Sequence, residues 1–215
     1  EPAIFYSEKH LKEVFEKMED YKKMNLDVNT FFEMTGMIGG ICNNPEDYAS
    51  FYHNYKGRRY RHDQVHNLFG YYMTRSASEA FERYVPEKRI LLFSRASYIG
   101  MHRFGGIWQG DNASWWSHLK MNVKMMPSLN MCGFLYTGAD VGGFGADATE
   151  DLVLRWLEFA VFTPLLRNHS ARGTRRQEVY RFSHVEKFAD VIGVRYQILP
   201  YIYSEYMKAA LQNTM

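Results

Sequence analysis

The sequence is poor in cysteine, with only Cys42 and Cys132. Two thiols exclude a disulfide framework and a four-cysteine metal site. They fit two small buried apolar side chains in a reducing, cytoplasmic setting. Long hydrophobic runs are missing too: none approaches the roughly 18 residues that span a bilayer, so no membrane contact is expected. Charge of one sign is not in excess, since Lys+Arg 26 against Asp+Glu 24 leaves +2. That balance argues against nucleic acid as the main partner. Tryptophan is scarce at 4, yet Tyr 16 and Phe 15 raise the aromatic share to 16%. Such a share suits a large core or a site that stacks planar or sugar-like faces. Across 215 residues, 46% hydrophobic and 23% charged content excludes disorder, collagen-like repeats and a coiled coil as the main architecture. One large domain or two small ones are expected. The sequence opens Glu1-Pro2-Ala3 without Met, so its start is read as a cut.

Along the chain, residues 10–24 place Leu11, Val14, Phe15, Met18 and Tyr21 at helical spacing opposite a solvated charged face. Residues 33–48 carry Gly36, Gly39, Gly40, Asn43, Asn44 and Pro45 and read as a loop. The basic, aromatic stretch Lys56–His62 reads as an exposed connection rather than an RNA contact. A helix is predicted over 65–84, stopped by Pro86. The run Ile90-Leu91-Leu92-Phe93 reads as a fully buried strand, Ile107-Trp108 as a second and Phe134–Thr137 as a third. Helices are predicted over 114–126, capped by Asn112 or Ser114, over 148–161, and over 184–213 with a kink at Pro200. Buried strands alternating with helices give a parallel α/β structure. In barrels of this type the chemistry sits at the C-terminal ends of the strands, where Asp111, Asp140 and His169 fall.

Trp108-Gln109-Gly110-Asp111-Asn112 sets an acid beside an indole, and a carboxyl against an aromatic wall loses hydration, as a proton donor requires. Read singly, each candidate has a plain structural alternative. Asp111 could cap a helix, Asp140 could hold a turn, His169 could be a satisfied core histidine and Arg103 a surface charge. Together they supply carboxylates, an imidazole and a guanidinium on successive strand ends, with Trp108 and Phe144 as apolar walls. Sugars rich in hydroxyls need that mixture.

Three segments carry a family resemblance: Trp108–Asn112, Gly138–Phe144 and Phe162–Ser170. In this order and spacing they resemble glycoside hydrolase family 31, the α-glucosidases. Ser94-Arg95-Ala96 through Arg103 is similar to that family's arginine segment, and Arg195–Tyr203 to the helix closing its barrel. The resemblance is best over 89–206 and includes the opening Glu1–Phe5. There Glu1-Pro2 matches the end of the family's Asp-Met-Asn-Glu-Pro segment, whose aspartate is the nucleophile on the fourth barrel strand. The nucleophile then lies three residues before Glu1, outside this sequence.

The resemblance implies an α/β fold, a (β/α)8 TIM-type barrel of which this chain holds the second half. Residues 1–88 would form a connecting segment with helices after strand four, and 89–215 strands five to eight with the closing helix. It implies a retaining α-glucosidase acting on terminal α-linked glucose of oligosaccharides by double displacement. Asp111 matches the general acid/base; Arg103, Asp140 and His169 match residues holding sugar hydroxyls; Trp108 and Phe144 match pocket walls. No metal and no organic cofactor are implied. The partners implied are an oligosaccharide and the N-terminal half of the same protein, and a homo-oligomer is compatible. Residues 6–64 match only loosely, so specificity does not transfer. A non-catalytic carbohydrate-binding module, or a relative acting on another α-glycoside such as an α-xyloside, are the alternatives.

Overall fold

A computed structural model describes residues 7–24, 27–42 and 44–214, so the opening Glu1–Phe5 and Asn43 lie outside the described residues. The first helix, α1 (Glu8–Tyr21), begins where Ser7 accepts a hydrogen bond from the His10 amide. Its apolar spacing is the one read in the sequence. The expected loop at 33–48 is instead mostly helix: α2 spans Val28–Ile41, capped by Asp27 accepting from the Thr30 amide. Three helical glycines cost about 1 kcal/mol each against alanine. A side-chain cap and a largely apolar helix held against α1 outweigh that cost. Asn44 caps α3 (Pro45–Ser50), with Pro45 in its first turn.

Lys56–His62 is not an open connection either. Strands β1 (Tyr52–Tyr55) and β2 (Arg58–Arg61) form an antiparallel hairpin. Its two-residue turn, Lys56-Gly57, has φ of 49° and 73°. Positive φ at both positions matches the right-handed twist of the strands, and Gly57 adopts it without strain. The short α4 (His62–Val65) follows, then α5 (Leu68–Tyr84), which ends just before Pro86 as the sequence predicts.

The second part of the chain holds the parallel strands. Phe93 bridges Gly106 in parallel, β3 (Ile107–Trp108) pairs with β4 (Thr137–Asp140), and β4 with β5 (Leu165–Arg167). The helices between them are α6 (Trp116–Met131) and α7 (Glu150–Ala160), and α8 (Val185–Gln212) follows β5. The buried strand expected at Ile90–Phe93 is reduced to a single bridge at the half-buried Phe93, with Leu91 56% exposed. The strand expected at Phe134–Thr137 begins only at Thr137 and runs on into the glycine-containing Gly138–Asp140. Helix α6 runs through Pro127, and neither Asn112 nor Ser114 caps it: Trp115 takes that position without a side-chain bond. Thr149 does cap α7, accepting from the Leu152 amide, with Glu150 and Asp151 in the first turn. Helix α8 continues through Pro200. Of the two cysteines, Cys42 is buried and Cys132 is exposed. Among the described residues no helix is long and apolar enough to cross a membrane.

The core lies between β4, α7 and α8, around Trp156, Val153, Val141 and Phe188, all fully buried. Burying each such side chain contributes about 1.5–3 kcal/mol. Arg195 of α8 ties that helix to the start of β5. Its guanidinium donates to the carbonyls of Val161 and Thr163 at 2.7 Å and of Pro164 at 3.2 Å. The parallel pairing sets Ser94, Trp108, Asp140 and Arg167 in one row at the C-terminal end of the sheet.

Candidate active site

Asp111 leaves β3 through Gly110, whose φ of 77° makes the tight turn that a residue with a Cβ would resist. Its carboxylate accepts a hydrogen bond of 2.8 Å from Arg95 Nη1, which comes from the segment after Phe93. Both side chains are partly open to solvent, at 38% and 33%. Asp111 is therefore neither a helix cap nor pressed into a wall; Arg95 holds it at the rim.

Asp140 ends β4 with its side chain 1% exposed. Arg167, one strand over, donates from Nε to Oδ1 at 2.6 Å. The register that pairs Asp140 with Arg167 in the ladder places the two side chains together. Burial pushes the Asp140 carboxyl above the usual carboxylate range, against the opposing pull of Arg167 and of His169 nearby. Its Oδ2 is buried and has no hydrogen-bond partner among the described residues, and neither has the indole nitrogen of Trp108. The Arg167 guanidinium lies 5.4 Å from the Trp108 ring centre and 5.5 Å from that of Phe93. Trp108, read in the sequence as an aromatic wall, thus faces the Arg167 cation. Phe144 and His169 stand with ring centres 5.2 Å apart.

The backbone joins these strand ends. The Asn112 carbonyl accepts from the amides of Phe144 at 2.7 Å and Gly145 at 3.0 Å, and Ala171 donates to the Phe144 carbonyl at 2.8 Å. Asn112 itself is buried; its amide donates to the Gln109 carbonyl and its Oδ1 accepts from Asn122. Five of the six residues singled out in the sequence thus lie at the C-terminal ends of the strands, Trp108 and Asp140 as the last residues of β3 and β4, or on the loops that follow, Asp111, Phe144 and His169.

Arg103 does not join them. It sits in a 3-10 turn, Met101–Arg103, that precedes β3, whereas Asp111 follows β3, so the two lie toward opposite ends of a parallel strand. Arg103 donates to the Tyr71 hydroxyl at 2.9 Å and to the Gly100 carbonyl. It lines a hollow with Leu91, Asn130 and Tyr206, at the ends of α6 and α8 remote from Asp111. Within the arginine segment, Arg95 is the residue at a strand's C-terminal end. That position relative to Phe93 was the signal that sequence reasoning passed over. Arg167, Asn112 and Gln177 were also missed, because their work is to hold other groups.

Residues 4–205 match the model of the glycosyl hydrolases family 31 TIM-barrel domain. The chain belongs to glycosyl hydrolase family 31. Alpha-glucosidase 2 of Bacillus thermoamyloliquefaciens is 36% identical over 161 residues, covering 73% of this chain and 20% of that protein. Neutral alpha-glucosidase C of Mus musculus is 32% identical over 148 residues, covering 67% and 16%. Among solved structures, the Tris-bound glucosidase II alpha subunit superposes with a TM-score of 0.67 at 33% identity, covering 72% of this chain and 17% of its own. The family 31 alpha-glucosidase from Bacteroides thetaiotaomicron gives 0.64 at 34%, covering 71% and 26%. The family 31 member thus has the fold of that TIM-barrel domain, with no closed barrel among the described residues. It spans about a fifth or less of the length of these curated relatives.

Proposed function

We propose that this chain is part of a retaining α-glucosidase and forms the second half of its catalytic barrel. The observation that carries the reading is the pairing of Asp111 with Arg95 on the same sheet edge as the buried Asp140–Arg167 pair. Asp111 is open enough to meet a leaving-group oxygen, and Asp140 Oδ2 and Trp108 Nε1 are polar atoms left for a ligand's hydroxyls. Names of relatives support the same class.

In this mechanism an aspartate outside the chain attacks the anomeric carbon while Asp111 donates its proton to the departing oxygen. Asp111, then ionised, takes a proton from the water that attacks the glucosyl–enzyme, releasing glucose with its configuration kept. The two carboxyl groups would stand about 5–5.5 Å apart. Asp140 and His169 would hold hydroxyls of the glucose being transferred, and Phe144 and Trp108 would wall it.

The test uses full-length protein and a nitrophenyl α-glucoside, with the product anomer followed by NMR. Release of α-glucose first, lost in Asp111→Ala, supports the reading. No turnover, or β-glucose first, overturns it. A panel that includes α-xylosides separates the relative acting on another sugar.

A further inference from the structure

Gln177 lies in no helix or strand, yet it is 2% exposed. Its side-chain amide nitrogen donates to the Val141 carbonyl at 2.9 Å, the Gly143 carbonyl at 3.2 Å and Asn168 Oδ1 at 3.1 Å. Asn168 answers by donating to the Gln177 carbonyl at 2.7 Å. One buried amide therefore grips the loop after β4 and the loop after β5 together. The first loop follows directly on Asp140 and carries Phe144, and the second carries His169. The orientation of the amide is fixed, because its oxygen in place of its nitrogen would face three acceptors.

The rest of the segment is fastened to the same loop. Ala171 donates to the Phe144 carbonyl, the Arg175 amide to Asp147, and the Arg175 side chain to the Ala148 carbonyl at 3.2 Å. Space is tight around the grip. Gly142 has φ of 84°, and a Cβ there would lie 2.9 Å from a Val153 methyl and 3.3 Å from the Gln177 nitrogen.

We propose that Gln177 is a positioning residue that fixes the spacing between Phe144 and His169. It touches neither ring's expected ligand; it acts by holding the two loops in register. The catalytic consequence rests on the glucosidase reading. A misplacement of about 1 Å can cost on the order of 100-fold in rate, so the loss should appear in kcat more than in KM.

Two variants of the full-length protein test this. Gln177→Met keeps a similar volume and removes both donors; kcat should fall about 10- to 100-fold at every pH. Gln177→Glu gives a pH signature that a merely structural role does not. Ionised, the carboxylate faces three oxygens with nothing to donate; protonated, it offers one O–H. The ratio of its kcat to that of the wild type should climb as pH falls from 8 to 5. Hydrogen exchange reads the lock without any substrate: in Gln177→Met, amides of 141–146 and 168–171 should exchange faster together, while β3 and α6 stay unchanged. Unchanged exchange in both loops overturns the proposal. So does faster exchange with kcat kept within about twofold, or a Gln177→Glu ratio flat with pH. If the wild type turns over no α-glucoside, the glucosidase reading fails and the exchange result alone decides the lock.

Discussion

Asp111 and Arg95 form a pair whose members contribute differently. In full-length protein, Asp111→Ala should lower kcat by about 10²–10⁴ on glucosides with poor leaving groups. The loss should shrink on α-glucosyl fluoride, whose leaving group needs no proton; equal loss on both would remove Asp111 from the proton-donor role. Arg95→Ala should cost less, since it frees the carboxylate without deleting it. Steady-state kinetics on the two substrates separates the variants. Away from this site, Asp47 is fully buried and accepts from the His10 ring at 2.8 Å and the Ser7 amide at 2.6 Å. Burial raises its pKa, but those two bonds more than offset the effect and hold it below the ordinary 3.8. Its stabilising contribution is thus present above pH 3.8 and lost as pH falls below that value. Asp47→Asn should destabilise full-length protein by about 1–3 kcal/mol at pH 7. The gap from wild type should narrow in melts taken below about pH 4. The candidate residues legible in the sequence were those whose type announces chemistry, such as Asp111, Asp140 and His169. Arg95 and Arg103 differ only in which side of a strand they occupy, which residue type cannot report. Gln177 acts through donors aimed at carbonyls brought from more than 30 positions away in the chain.

At the level of elements, strongly periodic segments were legible: α1, α5, α7 and α8 lie close to where apolar spacing put them. The errors have particular causes. Glycine suggested a loop at 36–40, but capping and contact with α1 made α2 helical. Charge suggested an open connection at 56–62, but Arg59 stacks over Tyr52 at 3.8 Å and ladder bonds fix a hairpin. Beneath that hairpin, His62 is fully buried, with His53 of β1 at 2.8 Å and His66 at 3.1 Å. Tyr48 of α3 and Phe69 of α5 pack on its ring, and Asp63 is its acidic neighbour. Burial first, then His53 and His66, hold His62 below its usual 6.5, outweighing Asp63. The folded form thus binds fewer protons than the unfolded one, and stability falls as pH drops through 6.5 toward the lower folded value. With the intrinsic slowing of exchange in acid divided out, the protection factors of 52–61 should fall between pH 7 and 5.5, and His62→Gln should flatten that response. A response unchanged by the substitution would place the titrating group elsewhere.

For the whole molecule, β5 pairs with β4 alone among the described residues, and the segment at Phe93 pairs only with β3's side of the sheet. Unpaired parallel edges invite association. The outer surface of α8 shows Tyr196 at 72%, Tyr201 at 67% and Leu211 at 75% exposure, more apolar area than a self-sufficient helix presents to water. Residues 1–215 produced alone should be aggregated, molten or dimeric, as analytical ultracentrifugation and near-UV circular dichroism would reveal. A monomer with a sharp two-state melt would mean that the strand edges need no cover. Although β4 itself, Thr137–Asp140, is not apolar and β5 was not read as a strand, the parallel α/β pattern was readable from apolar runs alternating with helices. What covers the edges was not, because pairing partners outside the sequence leave no pattern within it.

Phe32 of α2 packs so closely over Gly145 that the loop has no room there for a Cβ. The two residues are separated by roughly 110 positions of chain. At about 5–20 residues per second, a ribosome makes Gly145 some 5–20 s after Phe32. Through that interval the Phe32 ring has no Gly145 loop to rest on, so this contact between the early helices and the parallel-strand region is among the last that synthesis allows to form.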